Sequence, residues 1–391
     1  MVSVDGSEVA NTGLLEASRK AGLAGVFSVG AWLGDGIVAS ARKGDTVNLW
    51  WFPIDARSFR AEIGARQLTF GAVQESEPAL ARDGSAVFCV TDSSTDLWAI
   101  DLDERTGAAR GTPRRLTFDK RVSLTPSLSR DGRSLAYVSY RSATDSSMVL
   151  MDLESGKKRN LGKTGYYPTL SADGTRLAYN QRDIYVAHIS GGPAEKIADA
   201  PGRSNGWLSG KNVILFNGPI GGIAKIASVD VASKSRVVIA RHPKFELHGG
   251  YISPDDRWFA FHATNSETGR IIYIAPYRGQ QEIPEQEWIP VTDGKQLDRE
   301  ARWSADGRFL YFFSDRDGHR CVWGQRLEEG SKRPVGPPFA VFHAHDVRNS
   351  ITNTGNVTSY AGPAVAKGII VFGMGARNSN IWLTKLPISL P

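Results

Sequence analysis

A turn of the form Ser-x-Asp-Gly, followed by a β-rich apolar run, recurs along this chain and constrains its fold more than any other feature. The clearest copies are LSRDGRSLAYVSYR from Leu128, LSADGTRLAYNQRD from Leu170, ISPDDRWFAFHATN from Ile252 and WSADGRFLYFFSDRDG from Trp303. Weaker copies begin at Leu33, Leu80, Leu208 and Val365. The turns fall near Gly34, Asp83, Asp131, Asp173, Ser209, Asp255, Asp306 and Ala366, a mean spacing of about 47 residues. A second apolar run recurs as faithfully, in NLWWFPID from Asn48, DLWAIDL from Asp96, MVLMDL from Met148 and CVWGQRL from Cys321. Val, Ile, Tyr, Phe and Trp dominate both runs, which is strand chemistry. Between strands, Gly accepts a positive φ and Asp bonds its own backbone, so Asp-Gly marks a hairpin. Arg66 to Phe70 and Arg114 to Phe118 read as a fourth, outer strand.

Four strands per unit of about 45 residues are the pattern of a β-propeller blade. The expectation is an all-β chain forming one domain over residues 1–391, a single eight-bladed propeller of four-stranded blades. Its units cover 25–70, 75–118, 122–161, 165–198, 203–240, 248–292, 299–343 and 360–387. Seven blades is the alternative, with the fifth unit degenerate. The last unit shows no fourth strand, and Val2-Ser3-Val4 has strand character, so the N-terminal strand is expected to close the ring and remove an exposed edge. Residues 12–22 suit a short helix.

Composition excludes several classes. Of 391 residues, 41 are Gly and 19 Pro, a surplus that fits many turns, and only Cys89 and Cys321 are cysteines, too few for a disulfide framework. No apolar run is long enough for a membrane-spanning helix. The net charge of +6 is scattered, without the basic stripe that nucleic-acid binding needs. The N-terminus shows no signal peptide, which leaves a cytoplasmic protein by default, or a periplasmic mature form or fragment.

The Ser-x-Asp-Gly turn with its aromatic-rich strand resembles the TolB-like repeat, which also occurs in the propellers of prolyl-oligopeptidase-type enzymes. The segment from His262 to Asn349, with EWIPVTDG, DREARWSADGRFLYFFSDRDGHRCVWGQRL and KRPVGPPFAVFHAHDVRNS, resembles more closely the propeller regions found C-terminal to bacterial serine/threonine kinases and winged-helix regulators. The resemblance implies a propeller and a binding or scaffolding role. The chain has no kinase or winged-helix segment and no α/β-hydrolase domain. A Gly-x-Ser-x-Gly string, Gly202 to Gly206, precedes a strand where a hydrolase elbow needs a helix, so it reads as a loop between blades.

Candidate site residues follow from the repeat. An Arg recurs in the loop after the second strand, at Arg42, Arg141, Arg182, Arg316 and Arg377, and guanidinium groups gathered at one mouth would bind an anion bidentately. Positions just ahead of the inner strands are Glu77, Thr125, Tyr166, Tyr167, Asn205, His248, Glu300 and Tyr360, a mixture suited to a binding face. Among them Tyr166, His248 and Glu300 join the arginines as expected ligand contacts. His343 and His345 are spaced so that one strand face would carry both, and with His248 they form an alternative divalent-metal set. Asp315 to Gly318 lacks the further acidic ligands of a calcium loop. Cys89 and Cys321 read as core fillers, and Trp98, Trp323 and Trp382 as packing residues at one strand position.

The function expected is therefore a non-catalytic ligand- or protein-binding module, a sensor or scaffold without a cofactor, offering its funnel face to a protein partner or an anionic small molecule. The alternative is a metal-assisted polysaccharide lyase acting on acidic sugars at the funnel.

Overall fold

The computed structural model describes residues 11–386 except 82, 120, 141–144, 163, 200–201, 266–268, 347 and 353–361. The fold is the all-β propeller expected. Its chain divides into two compact units, one of residues 1–93 with 377–391 and one of residues 94–376.

The second unit is built from antiparallel four-stranded sheets, and local chemistry explains their hairpins. Ser129, Ser171, Ser253 and Ser304 each donate their hydroxyl to the Asp two residues on, at 2.5–2.7 Å. Each hydroxyl oxygen also accepts the backbone N–H five residues on, at 2.9–3.0 Å. The Ser-x-Asp-Gly motif thus closes the turn between inner and second strands by satisfying groups the turn would leave unpaired.

Five sheets follow in chain order. The first is Val122–Leu128, Ser134–Tyr140, Ser146–Asp152 and Lys158–Asn160; the second is Tyr166–Leu170, Arg176–Gln181, Asp183–His188 and Glu195–Ala198. The third is Arg203–Trp207, Val213–Pro219, Ala224–Asp230 and Arg236–Ala240; the fourth is Glu246–Ile252, Trp258–Asn265, Gly269–Pro276 and Ile289–Pro290. The fifth is Arg299–Trp303, Phe309–Ser314, Cys321–Arg326 and Phe339–Phe342. The sixth combines distant segments. Its inner strands are Ala364–Ala366 and the first part of Ile369–Lys385; its outer strands are the last part of Ser85–Leu102 and Ala109–Arg115.

Six apolar cores, one between each neighbouring pair of sheets, hold this ring. Phe309, Phe313, Ile370 and Phe372 join the fifth sheet to the sixth, and Leu97, Val371, Leu135 and Tyr137 join the sixth to the first. Inner strand meets inner strand around the cycle, with Ala364–Ala366 touching both Arg299–Trp303 and Val122–Leu128. Each shared core couples neighbouring blades, since neither sheet can bury its apolar face alone. The N-terminal strand at Val2-Ser3-Val4 lies outside the described residues. The second unit closes differently, by pairing C-terminal inner strands with outer strands from residues 94–115, so its ring counts six sheets where eight blades over the whole chain were expected.

The first unit carries the first repeat as Gly25–Leu33, Gly36–Lys43, Thr46–Pro53 and Arg66–Gln67. Helix Leu14–Lys20, within the span expected, buries Leu14 in one core with Ala39, Ala41, Trp50 and Phe52. Gln74–Leu80 pairs with the start of Ser85–Leu102. That strand and Ile369–Lys385 pair with each other, and in this unit the Thr91 and Ser379 hydroxyls are 3.1 Å apart. Both strands are unusually long, 18 and 17 residues, and each contributes one part to each unit. Arg377 therefore lies within a strand, where a loop was expected. Trp382 departs from the packing role expected of it and is 56% exposed.

Candidate functional site

All inner strands of the second unit line an axial cavity of about 220 Å3, among them Thr125, Tyr167, Asn205, Tyr251 and Arg302. Arg130 spans it towards the Asp-Gly turns, donating to Ser209 Oγ at 2.8 Å and to the Pro254 carbonyl at 3.0 Å.

The geometry at the other end comes from a repeated irregularity. The inner strands of the first five sheets share a break in register, between Leu124 and Ser127, Tyr166 and Thr169, Ser204 and Gly206, Gly249 and Tyr251, and Arg299 and Arg302. Thr125, Tyr167 and Glu300 sit in these breaks with φ of 52°, 54° and 57°, a left-handed conformation that side chains adopt at a cost. Such bulges re-aim side chains, and here the repetition puts one at corresponding places in successive blades. Glu77 in the first unit has the same conformation, with φ of 52°. Of the positions expected ahead of the inner strands, Thr125, Tyr167, Asn205 and Glu300 fall in or beside a bulge. Tyr166 is exposed beside Tyr167, and Tyr360 lies outside the described residues.

Glu300 is the buried centre of a charged network, only 1% exposed. The Tyr251 hydroxyl donates to its carboxylate at 2.5 Å, with Arg302 at 3.6 Å and Arg203 at 3.8 Å. Arg302 lies over the Tyr251 ring and Arg203 over the Tyr167 ring, which orients both guanidinium groups. His248 and His262 pack ring against ring at 5.4 Å, and Asn217 Nδ2 is 3.4 Å from His248 Nδ1. Burial pushes His262 well below the usual imidazole range, reinforced by His248, Arg270, Arg203 and Arg299. His248 moves the same way, chiefly through burial and then through Arg203.

Positive charge accumulates next to this network. Arg299 is 6% exposed, and burial together with Arg320 and Arg270 brings its guanidinium down to about 10. Arg320 is lowered by burial and by Arg270. Arg299 Nε, Arg270 Nη1 and both ring nitrogens of His262, one a donor in the neutral imidazole, are buried without a hydrogen-bond partner among the described residues, as is Glu300 Oε1. Buried donors are nearly always paired, so unpaired ones grouped around like charges are the groups an anion would satisfy.

The arginines expected at the mouth have other places. Arg316 donates to Asp298 at 3.0 Å and to Ser314 at 3.0 Å, tying it into the fifth sheet. Arg182 is exposed with a positive φ of 72°, and Arg42, in the first unit, lies over the Phe27 ring. Arg377 is exposed in the first unit, and Arg141 lies outside the described residues. The guanidinium cluster is formed instead by Arg203, Arg270, Arg299, Arg302 and Arg320. The local signal was present in GRSNG, GRIIY and DREARW, on strands where the reading looked to loops, and in GHRC, whose Arg320 ends the same loop as Arg316. Ser204 of the Gly-x-Ser-x-Gly string lies on an inner strand, where a loop was expected, and its hydroxyl donates to the Tyr167 carbonyl at 2.8 Å.

The expected metal histidines do not assemble as one set. His248 belongs to the network at the mouth, whereas His343 and His345 meet Asp317 and Cys321 on the fifth sheet.

No protein-family model matches the sequence, and no curated protein matches it. Among solved structures, a putative TolB from Agrobacterium tumefaciens superposes with a TM-score of 0.54 at 16% identity, covering 74% of this chain and 99% of that one. TolB from Acinetobacter baumannii gives a TM-score of 0.48 at 14% identity, covering 77% and 80%. The β-propeller domain of the Trilobed protease from Pyrococcus furiosus gives 0.42 at 12% identity, covering 82% and 96%. At these identities the first of these likenesses speaks to the fold alone: the chain has a β-propeller fold like that of a TolB protein.

Proposed function

We propose that the protein is a non-catalytic binding module whose propeller mouth takes an anionic group, a carboxylate or phosphate, on a small molecule or a protein partner. The observation that carries this reading is the set of unpaired buried donors on Arg299, Arg270 and His262, beside Arg320 and Arg203. The acids that act on Arg299 are Glu300 and Asp315, and Glu300 already serves Tyr251 and Arg302. An anion entering there would find charge-assisted donors already in place. The lyase alternative needs a metal at the funnel; His248 does have Glu246 at 3.3 Å, but burial and Arg203 outweigh the pull of Glu300 and Glu246 on its ring, which favours an anion over a cation.

The test is calorimetric titration with inorganic phosphate and with citrate at fixed ionic strength, using the wild type and an Arg270→Gln/Arg299→Gln variant. Saturable binding that the variant loses is the expected result. Heat no larger than that of matched chloride, or binding unchanged in the variant, would overturn the reading.

A further inference from the structure

We propose that Asp317, Cys321, His343 and His345 form a zinc site that clips the outer edge of the fifth sheet. Nothing in the reading of the mouth requires it. Asp317 and Cys321 come from the hairpin between Phe309–Ser314 and Cys321–Arg326, and the two histidines from the segment that follows Phe339–Phe342. The four donor atoms lie within 4.8 Å of one another. One carboxylate oxygen, Asp317 Oδ2, is 2.6 Å from His343 Nδ1 and 2.8 Å from His345 Nε2.

Donor chemistry selects the metal. Two imidazoles, one thiolate and one carboxylate are a borderline-soft set with the four ligands of a closed, structural zinc site. Calcium and magnesium prefer oxygen alone. Tetrahedral zinc at its usual bond lengths separates its ligand atoms by about 3.3–3.7 Å. The two carboxylate–imidazole distances are shorter than that and the widest is longer, so the ion must ease Asp317 from the imidazoles and draw the set inward. The histidine side chains are 50% and 45% exposed and can swing to do so.

The surroundings suit ligation. Cys321 is fully buried, and its sulfur accepts the Ala344 N–H at 3.2 Å, a bond that strengthens when the sulfur is a thiolate. The His343 ring meets the edge of Trp323, and His319 packs on His345 at 4.5 Å, which limits where each imidazole can turn. On binding, the Cys321 thiol proton leaves to solvent. Each imidazole binds as the neutral form through the nitrogen facing Asp317, and its proton moves to the other ring nitrogen. The ion would join a hairpin to the segment after the last strand, a link the backbone bonds of the sheet do not make.

Cobalt titration of the chelator-treated full-length protein tests this. One equivalent should give a thiolate-to-cobalt charge-transfer band and intense tetrahedral visible bands, both abolished by stoichiometric zinc. His343→Ala/His345→Ala alters half-exposed side chains and leaves the fold intact by circular dichroism. It should weaken binding by at least about 100-fold, since even partners outside the coordination sphere are worth 10–100-fold. Cys321→Ser should lose the charge-transfer band. Absence of that band in the wild type at one equivalent, or unchanged affinity in the double histidine variant, would overturn the proposal.

Discussion

Two pairs of histidines lie in the second unit, and their surroundings oppose each other. His262, buried, and His248, largely buried, sit among Arg203, Arg270 and Arg299, with Glu246 and Glu300 on the His248 side, and both are pushed towards the neutral form. His343 and His345 are half-exposed and share one carboxylate oxygen, with a buried sulfur alongside. In the first environment arginines outnumber the acids Glu246 and Glu300, which is the ground for the anion site proposed above. The second offers lone pairs to a cation and repels an anion. Residue type alone assigns neither role, because the charges that surround each ring decide it.

The sharpest way to break this contrast is to remove the acid that holds the cationic side together. Glu300→Ala leaves the Tyr251 hydroxyl without its acceptor and Arg203 and Arg302 without their counter-charge. Removing one partner of a buried ionic network costs about 3–5 kcal/mol, and urea unfolding should show a loss of that size. A loss below about 1 kcal/mol would mean that water already screens the mouth, and would weaken the case for an anion there.

That network also marks the limit of what could be read from sequence. The turns were legible because Ser304, Asp306 and Phe309 satisfy one another within six residues. Once the turns are placed, counting back finds the inner strands, which is how Thr125, Tyr167 and Glu300 emerge as special without any contact being known. Which arginine meets Glu300 depends on neighbouring sheets, and Arg203 arrives from the third. Arg316 looked equally suited, but Asp298 holds it. The repeat places Arg377 in the loop after a second strand. It lies instead in the middle of Ile369–Lys385, a long strand that pairs with Ser85–Leu102. The metal set was half visible, in His343 and His345. Cys321 gave no sign, because a buried cysteine in a strand looks like a core filler, and it packs as one too.

Smaller effects should follow in order. Ser304→Ala removes the acceptor for the buried Phe309 N–H and the donor to Asp306, at a cost of about 1–3 kcal/mol by chemical unfolding. A neutral result would show that the Asp-Gly turn holds its shape through backbone bonds alone.

Acid should next distinguish the buried histidines. His262 and His248 bind a proton less readily folded than unfolded, so the unfolded state takes up more protons as pH falls below about 6.5. Stability is full above that pH and declines below it, by up to about 1.4 kcal/mol per pH unit for each histidine. His262→Gln should reduce this slope between pH 6.5 and 5. Saturating phosphate should reduce it in the wild type as well, because a bound anion favours the charged imidazole. A slope indifferent to both would separate the histidines from the anion site.

The smallest expected effect bears on the other pair. In metal-free protein, His343→Ala/His345→Ala removes two imidazoles that are half in water and their two hydrogen bonds to the Asp317 carboxylate. Such contacts contribute about 1 kcal/mol or less, so the unfolding midpoint should barely move. With zinc present the same variant should forfeit the whole gain in stability that the wild type draws from the ion, a gain that grows with free zinc as expected for a ligand of the folded state alone. A variant that unfolds early without any metal would make these imidazoles a structural cap on Asp317, and the zinc-dependent gain alone tells the two roles apart. A small metal-free effect paired with a large zinc-dependent one is what four donors arranged for a cation require, and it is the opposite of what Glu300 should show, where the cost is paid before any ligand arrives.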